Sequence, residues 1–167
     1  TDIETGDAVI LGEGNLAKAM RASMSIPGAL PPVKHNGKLL VDGGIGNNVP
    51  IDVARDMGAD IVIVVDVSAP LATKDNLSSS FAVTGQLTTI LTRRVADLQI
   101  KTLHNYDVLI VPGREDLSSA SFNEYAALIQ EGTDSANRHV DELENLSLNA
   151  GEYQYYRSSL RDVIRHT

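Results

Sequence analysis

Asp42 is the residue whose type and neighbours point most directly to chemistry. It follows an apolar run that ends at Val41, and glycine occupies positions 43, 44 and 46 directly after it. In open α/β sheets, functional groups gather just beyond the carboxyl ends of strands, where glycine lets the backbone approach a ligand closely. A carboxylate placed there can accept a proton from a nucleophilic hydroxyl group or orient it. The other interpretation is an aspartate that only closes a turn, because Asp-Gly is a common turn dipeptide.

A nucleophile for this carboxylate is not evident in the chain. Ser23 and Ser25 lie in the segment 21–28, but neither stands in Gly-x-Ser-x-Gly, and this pentapeptide occurs nowhere in the sequence. That motif forms the strained turn that exposes a serine hydroxyl group for attack. Both serines are therefore predicted to bond the main chain where a helix ends before Pro27.

Composition and spacing exclude several other kinds of site. Lys and Arg number 14 against 22 Asp and Glu, a net charge of −8, and nucleic-acid binders usually show a basic surface instead. The chain has no cysteine, and no Gly-Lys-Ser/Thr or complete dinucleotide fingerprint occurs. Its histidines are not spaced as metal ligands: His35, His104, His139 and His166. We therefore predict no metal, no cofactor and no nucleic-acid partner. No apolar stretch approaches the roughly 20 residues that span a bilayer.

Strands and helices are predicted to alternate around Asp42. Strands are expected at 7–11, on both sides of an Asn36-Gly37 turn, at 61–65 and at 108–111. Helices are expected over about 16–25, 50–57 and 76–104, and a last helix begins with a capping box at Ser121. The β-branched run 61–65 predicts a strand covered on both faces. Apolar residues at helical spacing are expected to face the core in the two longer helices: Leu87, Ile90, Leu91, Val95, Leu98, Phe122, Tyr125, Ile129, Ala136, Val140 and Leu143. This alternation is typical of a layered α/β domain.

Three segments together resemble the second half of the catalytic domain of bacterial patatin-like phospholipases. They are residues 21–33, residues 40–51 (Leu-Val-Asp-Gly-Gly-Ile-Gly-Asn-Asn-Val-Pro-Ile) and residues 54–67. The resemblance implies a three-layer α/β/α sandwich that hydrolyses acyl esters of phospholipids or other lipids with a Ser–Asp dyad and no histidine. It also implies that Asp42 is the dyad carboxylate. The loop that supports it would consist of Gly43, Gly44, Asn47 and Asn48.

The same resemblance implies parts that this sequence lacks. In the family, a glycine-rich oxyanion loop and the Gly-x-Ser-x-Gly nucleophile precede the region present here. We therefore expect an incomplete sandwich, an inactive chain when alone, and a nucleophile on an N-terminal part, since both ends look cut from a longer protein. A bared sheet would also favour self-association or pairing with that part. The alternative is a non-catalytic lipid-binding or scaffold module of the same fold.

The end of the chain differs in character from the rest. Residues 1–145 are predicted to be the C-terminal part of the patatin-like catalytic domain. Residues 146–167 are more polar and are predicted to be a linker or the start of another module. This tail resembles the junction in bacterial patatins that continue into periplasmic repeats and an outer-membrane barrel. An exported or outer-membrane-associated protein is therefore favoured over a cytoplasmic one.

Overall fold

The computed structural model describes residues 1–113 and 122–165, which form a mixed helix and strand architecture with small sheets. The helices are α1 (Leu16–Ser23), α2 (Gly44–Asn47), α3 (Ile51–Asp56), α4 (Ser80–Ile100), α5 (Tyr125–Asn137), α6 (Val140–Glu144) and α7 (Ala150–Arg165). The strands are β1 (Val33–His35), β2 (Lys38–Leu40), β3 (Ile63–Val65) and β4 (Val108–Ile110), and 3-10 turns cover Lys74–Asn76 and Phe122–Glu124. This architecture is consistent with an α/β fold. Ser121 of the predicted capping box lies outside the described residues.

The hairpin of β1 and β2 ends two residues before Asp42. The strands are antiparallel, and Val33 pairs with Leu40. Asn36 and Gly37 have φ angles of 46° and 79°, the positive values that a tight hairpin turn requires, so the predicted Asn-Gly turn is confirmed. On the other edge of β2, Asp2 forms an antiparallel bridge with Leu40. Strand β2 is thus held from both sides, and Leu40 and Val41 are buried.

The second sheet consists of β3 and β4, which are parallel, with Ile63 paired to Val108. Val64, Val108 and Ile110 are buried. The predicted burial of β3 on both faces is wrong, because Ile63 and Val65 are 50% and 53% exposed. The physical reason is that no helix in the described part of the chain covers this face.

The predicted strand 7–11 is absent, and the segment is irregular. Ile10 is 64% exposed, and its neighbours have no strand partner among residues 1–113 and 122–165. A run of apolar residues does not form a strand unless a neighbouring strand pairs with its main-chain hydrogen-bonding groups.

The longer helices bury less of their apolar surface than their patterns predict. Helix α4 packs against α2 and α3, and Ala96 is its buried residue. Several predicted core residues are instead exposed: Leu87, Leu91, Leu98, Tyr125, Ile129 and Val140. An apolar stripe is buried only where another element lies against it, and the described elements leave these residues exposed.

The segment after residue 145, predicted to be a linker or the start of another module, contains helix α7. The division of the chain at residue 145 itself stays a prediction. Among the helices of residues 1–113 and 122–165, none combines the length and the apolar character that crossing a bilayer demands.

Candidate functional site

Asp42 lies two residues beyond the end of β2 and opens the loop that forms α2. Its main-chain N–H donates to the carbonyl oxygen of Ser25 at 3.0 Å. The N–H of Gly43 donates to the carbonyl oxygen of Ser23 at 3.3 Å. The loop is thus fixed to the segment in which α1 ends. Asp42 itself is half-buried.

The two oxygens of the Asp42 carboxylate have different surroundings. Oδ1 accepts a hydrogen bond from the N–H of Gly44 at 2.8 Å, the geometry of an aspartate that closes its own turn. Oδ2 has no hydrogen-bond partner among the described residues. The turn interpretation and the catalytic one are therefore compatible, because the turn orients the side chain and leaves one oxygen available to accept a proton.

Gly44 and Gly46 allow the loop to lie close to neighbouring residues. A Cβ atom on Gly44 would lie 2.7 Å from Asn48 Oδ1 and 3.1 Å from Asp42 Oδ1. A Cβ atom on Gly46 would lie 2.8 Å from Thr1 Oγ1 and 3.1 Å from the main-chain nitrogen of Ala8. A Cβ atom on Gly44 would displace the Asn48 side chain, and one on Gly46 would also crowd the main chain of Ala8, so glycine at both positions allows the loop to fold against its neighbours.

Asn47 links the loop to helix α3. Its Nδ2 donates to Asp52 Oδ1 at 2.8 Å, while its Oδ1 is buried without a partner in the described structure. Burial alone would raise the pKa of Asp52, but hydrogen bonds from the Asn47 side chain and the N–H of Val53 lower it below the usual value. Asp52 therefore stays ionised and continues to accept the hydrogen bond from Asn47.

Asn48 links the loop to the second sheet. Its Nδ2 donates to Ser68 Oγ at 2.9 Å, and the N–H of Ser68 donates to Asp66 Oδ1 at 2.9 Å, just beyond the end of β3. The sequence-predicted residues Asn47 and Asn48 thus join the Asp42 loop to two further elements. The pattern did not reveal these partners, which lie further along the chain.

Thr1 is part of the site, although the sequence analysis did not select it. The residue is 6% exposed. Its Oγ1 donates to the carbonyl oxygen of Gly43 at 3.2 Å and accepts from the N–H of Gly46 at 2.9 Å. The contact spans more than 40 residues of sequence and depends on the pairing of residues 1–3 with β2, so no local motif could have signalled it.

A groove of about 360 Å³ adjoins the loop at Gly43 and Asn47. Ser23 lines this groove, but Ser25 does not. Ser25 is fully buried, its hydroxyl donates to the carbonyl of Arg21, and it accepts from the Arg21 guanidinium, which confirms its predicted structural role. Most of the lining is apolar: Ala8, Val9, Ile10, Leu11, Leu16, Ala19, Met20, Pro50 and Val53.

None of the three histidines in the described part of the chain lines this groove. His35 is in β1, His104 precedes β4, His139 precedes α6, and His166 lies outside the described residues. Within the described ranges, no group of three or more histidine and acidic side chains could hold a metal ion.

A separate ionic cluster lies at the N-terminal ends of β3 and β4. Asp66 and Ser68, which meet Asn48, lie beyond the C-terminal end of β3. The Asp107 side chain is fully buried and accepts hydrogen bonds from the N–H groups of Val62 at 2.9 Å and His104 at 2.7 Å. The Arg55 guanidinium pairs with the same carboxylate at 2.5 Å. The cluster ties Arg55 of α3 to the residues that precede β3 and β4.

Comparison with known proteins bears on the Asp42 loop directly. Residues 5–55 match the family model described as patatin-like phospholipase. Patatin-like phospholipase domain-containing protein 7 of Mus musculus is 46% identical over 71 residues, 41% of this chain and 5% of the mouse protein. Protein 6 of the same description from Homo sapiens is 45% identical over 71 residues, again 41% and 5%.

A mycobacterial relative matches as well. A protein described as an uncharacterized NTE family protein of Mycobacterium tuberculosis is 45% identical over 64 residues, 38% of this chain and 11% of that protein. The chain thus spans only about 5% of the length of the mouse and human relatives. Because both animal and mycobacterial proteins match, the bacterial origin stays a prediction.

Proposed function

We propose that the protein is a lipid acyl hydrolase of the phospholipase A or esterase type, with Asp42 as the carboxylate of a Ser–Asp dyad. One observation carries this proposal. The Asp42 carboxylate is held through one oxygen, leaves the other available within the described structure, and belongs to the stretch 5–55 that matches the patatin-like phospholipase model.

In this proposal Asp42 Oδ2 accepts the proton of a serine hydroxyl group as the serine oxygen attacks the acyl carbonyl. The ester bond breaks, the alcohol leaves with the proton that Asp42 accepted from the serine, and the acyl group remains on the serine. Water then attacks the acyl-enzyme and gives a proton to Asp42, which passes it to the serine oxygen as the fatty acid is released. The apolar groove beside Gly43 is suited to an acyl chain, because its lining is predominantly hydrocarbon.

The nucleophile is proposed to lie on a segment outside this sequence, as are the donors that stabilise the oxyanion. The absence of Gly-x-Ser-x-Gly from all 167 residues supports this placement. The uncovered face at Ile63 and Val65 supports it too, since a parallel two-stranded sheet normally has further strands and helices around it. Under this proposal the chain alone is inactive and the segment completes a three-layer α/β/α sandwich.

The test is Asp42→Asn in the full-length protein, with a chromogenic acyl ester and phosphatidylcholine vesicles as substrates. The asparagine oxygen still accepts from the N–H of Gly44, so the fold is retained, but the amide cannot accept the serine proton. We expect hydrolysis to fall by roughly 10²- to 10⁴-fold, the contribution of a positioned base. Asp56→Asn, an exposed residue at the end of α3, is the matched control. Near-normal turnover of Asp42→Asn would remove Asp42 from the mechanism.

A second candidate function is a non-catalytic lipid-binding or scaffold module, which the absence of a nucleophile motif from this sequence favours. A fluorophosphonate probe, which labels activated serines covalently, separates the two. Labelling of the full-length protein that Asp42→Asn abolishes supports the hydrolase. No labelling, together with retained binding to phosphatidylcholine vesicles, supports the module.

A further inference from the structure

We propose that Thr1 is a positioning residue for Asp42, acting through the two hydrogen bonds that its hydroxyl group makes to the loop. This inference rests on the proposed function, since it concerns the geometry of the dyad carboxylate. Thr1 Oγ1 donates to the carbonyl oxygen of Gly43 and accepts from the N–H of Gly46. These two contacts lie on either side of Gly44, whose N–H holds Asp42 Oδ1.

The loop has little rigidity of its own. Glycine occupies three of the five positions from 43 to 47, and glycine loses more conformational freedom on folding than any other residue. Two hydrogen bonds within the turn are long: the N–H of Ile45 reaches the carbonyl of Asp42 at 3.4 Å, and that of Gly46 reaches the carbonyl of Gly43 at 3.2 Å, whereas the N–H of Asn47 reaches the carbonyl of Gly43 at 3.0 Å. The bond from the N–H of Gly46 to Thr1 Oγ1, at 2.9 Å, is shorter than these three. Thr1 therefore adds an anchor outside the turn, beside those that Asn47 and Asn48 provide.

Thr1 is itself well fixed. Its main-chain nitrogen donates to the carbonyl of Val41 at 3.0 Å, and the N–H of Val41 donates to its carbonyl at 2.9 Å. Threonine is branched at Cβ and therefore stiff about χ1, so the backbone pairing also orients the hydroxyl group. The anchor is thus attached to Val41, the residue that directly precedes Asp42, and to Gly43, the residue that directly follows it.

The test substitutes Thr1→Val in the full-length protein, which keeps the shape of the side chain and removes both hydroxyl contacts. A displacement of about 1 Å in a reacting group can cost roughly 10²-fold in rate, so we expect kcat to fall by roughly 10- to 100-fold. KM for the acyl ester should stay within about twofold, because the valine preserves the groove lining. Thr1→Ser keeps the hydroxyl group and should restore kcat.

A control and a structural readout accompany these rates. Thr5→Val removes an exposed hydroxyl that accepts only from the N–H of Asp7 among the described residues, and it should leave kcat unchanged. Hydrogen exchange should show a selective acceleration at Gly46 in Thr1→Val, beyond any change shared by the other slowly exchanging amides, and Thr1→Ser should lack it. A role confined to stability would accelerate the exchange of the protected amides together, with no selective effect at Gly46 and no loss of kcat.

The outcomes distinguish this inference from the proposed function. If Asp42→Asn is inactive and Thr1→Val has normal kcat, Thr1 does not position Asp42 and the dyad stands. If Asp42→Asn is active, both proposals are wrong. If Thr1→Val does not fold, hydrogen exchange of the wild-type protein tests the inference. Exchange of the Gly46 N–H that is as slow as that of the Val41 N–H supports anchoring by Thr1, and faster exchange at Gly46 overturns it.

Discussion

Replacing Asp107 by asparagine should destabilise the protein strongly. Both oxygens of this fully buried carboxylate are in use, Oδ1 by the N–H of Val62 and Oδ2 by the N–H of His104 and the Arg55 guanidinium. Asparagine has one acceptor oxygen and one NH₂ group. Whichever way the amide is turned, its NH₂ group faces a donor, and Arg55 loses its counter-charge.

The magnitude follows from the burial of the Asp107 side chain, which is complete, and of the Arg55 side chain, which is 22% exposed. Removing one partner of a buried ion pair costs about 3–5 kcal/mol, because the other charge is left uncompensated. That is a large part of the 5–15 kcal/mol that typically separates folded and unfolded states. For a domain of this size each kcal/mol lowers the melting temperature by about 2–4 °C, so we expect a decrease of about 6–20 °C.

The pH dependence gives an independent check. Burial alone would raise the pKa of Asp107, but the N–H groups of His104 and Val62 and the Arg55 guanidinium lower it below its usual value. The unfolded chain titrates near the ordinary value of about 3.9. The stabilisation is therefore complete above that pH and is lost as the pH falls through the lower, folded value. The difference in stability between wild type and Asp107→Asn should narrow below about pH 4.

Urea unfolding followed by circular dichroism at pH 7 and at a series of acidic pH values measures both effects. Asp56→Asn, at an exposed site in the same helix as Arg55, is the control for charge removal. The reasoning is refuted if the two variants unfold within about 1 kcal/mol of each other, well short of the 3–5 kcal/mol expected for a broken buried pair. A stability difference that stays constant down to pH 2 would contradict the assigned role of the carboxylate.

Two further predictions concern the loop and the uncovered sheet. Gly46→Ala should cost about 1–3 kcal/mol of unfolding free energy because its Cβ would lie 2.8 Å from Thr1 Oγ1, whereas Gly12→Ala, with open space around it, serves as the control in the same urea assay. The exposed apolar residues of β3 should make this 167-residue chain self-associate or bind a complementary segment, and Val65→Lys should weaken that association. Sedimentation velocity measures it, with Met57→Lys as the exposed control, and a stable wild-type monomer would contradict the prediction.

Local residue patterns correctly predicted the elements that depend only on residues close together in the sequence. The hairpin follows from Asn36-Gly37, because these residues accept the positive φ angles of its turn. The position of Asp42 at the end of a short strand, before a glycine-rich loop, was also readable from residue types. Patterns failed where burial depends on a partner: the segment 7–11 is irregular, and Ile63 and Val65 are half-exposed.

By itself, then, the amino-acid sequence determined that a carboxylate follows a short strand at residue 42 and that a glycine-rich loop comes after it. Only the tertiary structure decided what holds that carboxylate in place. Thr1 reaches Gly43 and Gly46 through sheet pairing, and Asn48 reaches Ser68 beyond the end of another strand. The physical reason is that a hydrogen bond depends on the distance between two groups in space, and residue types along a chain do not specify which distant groups the fold brings together.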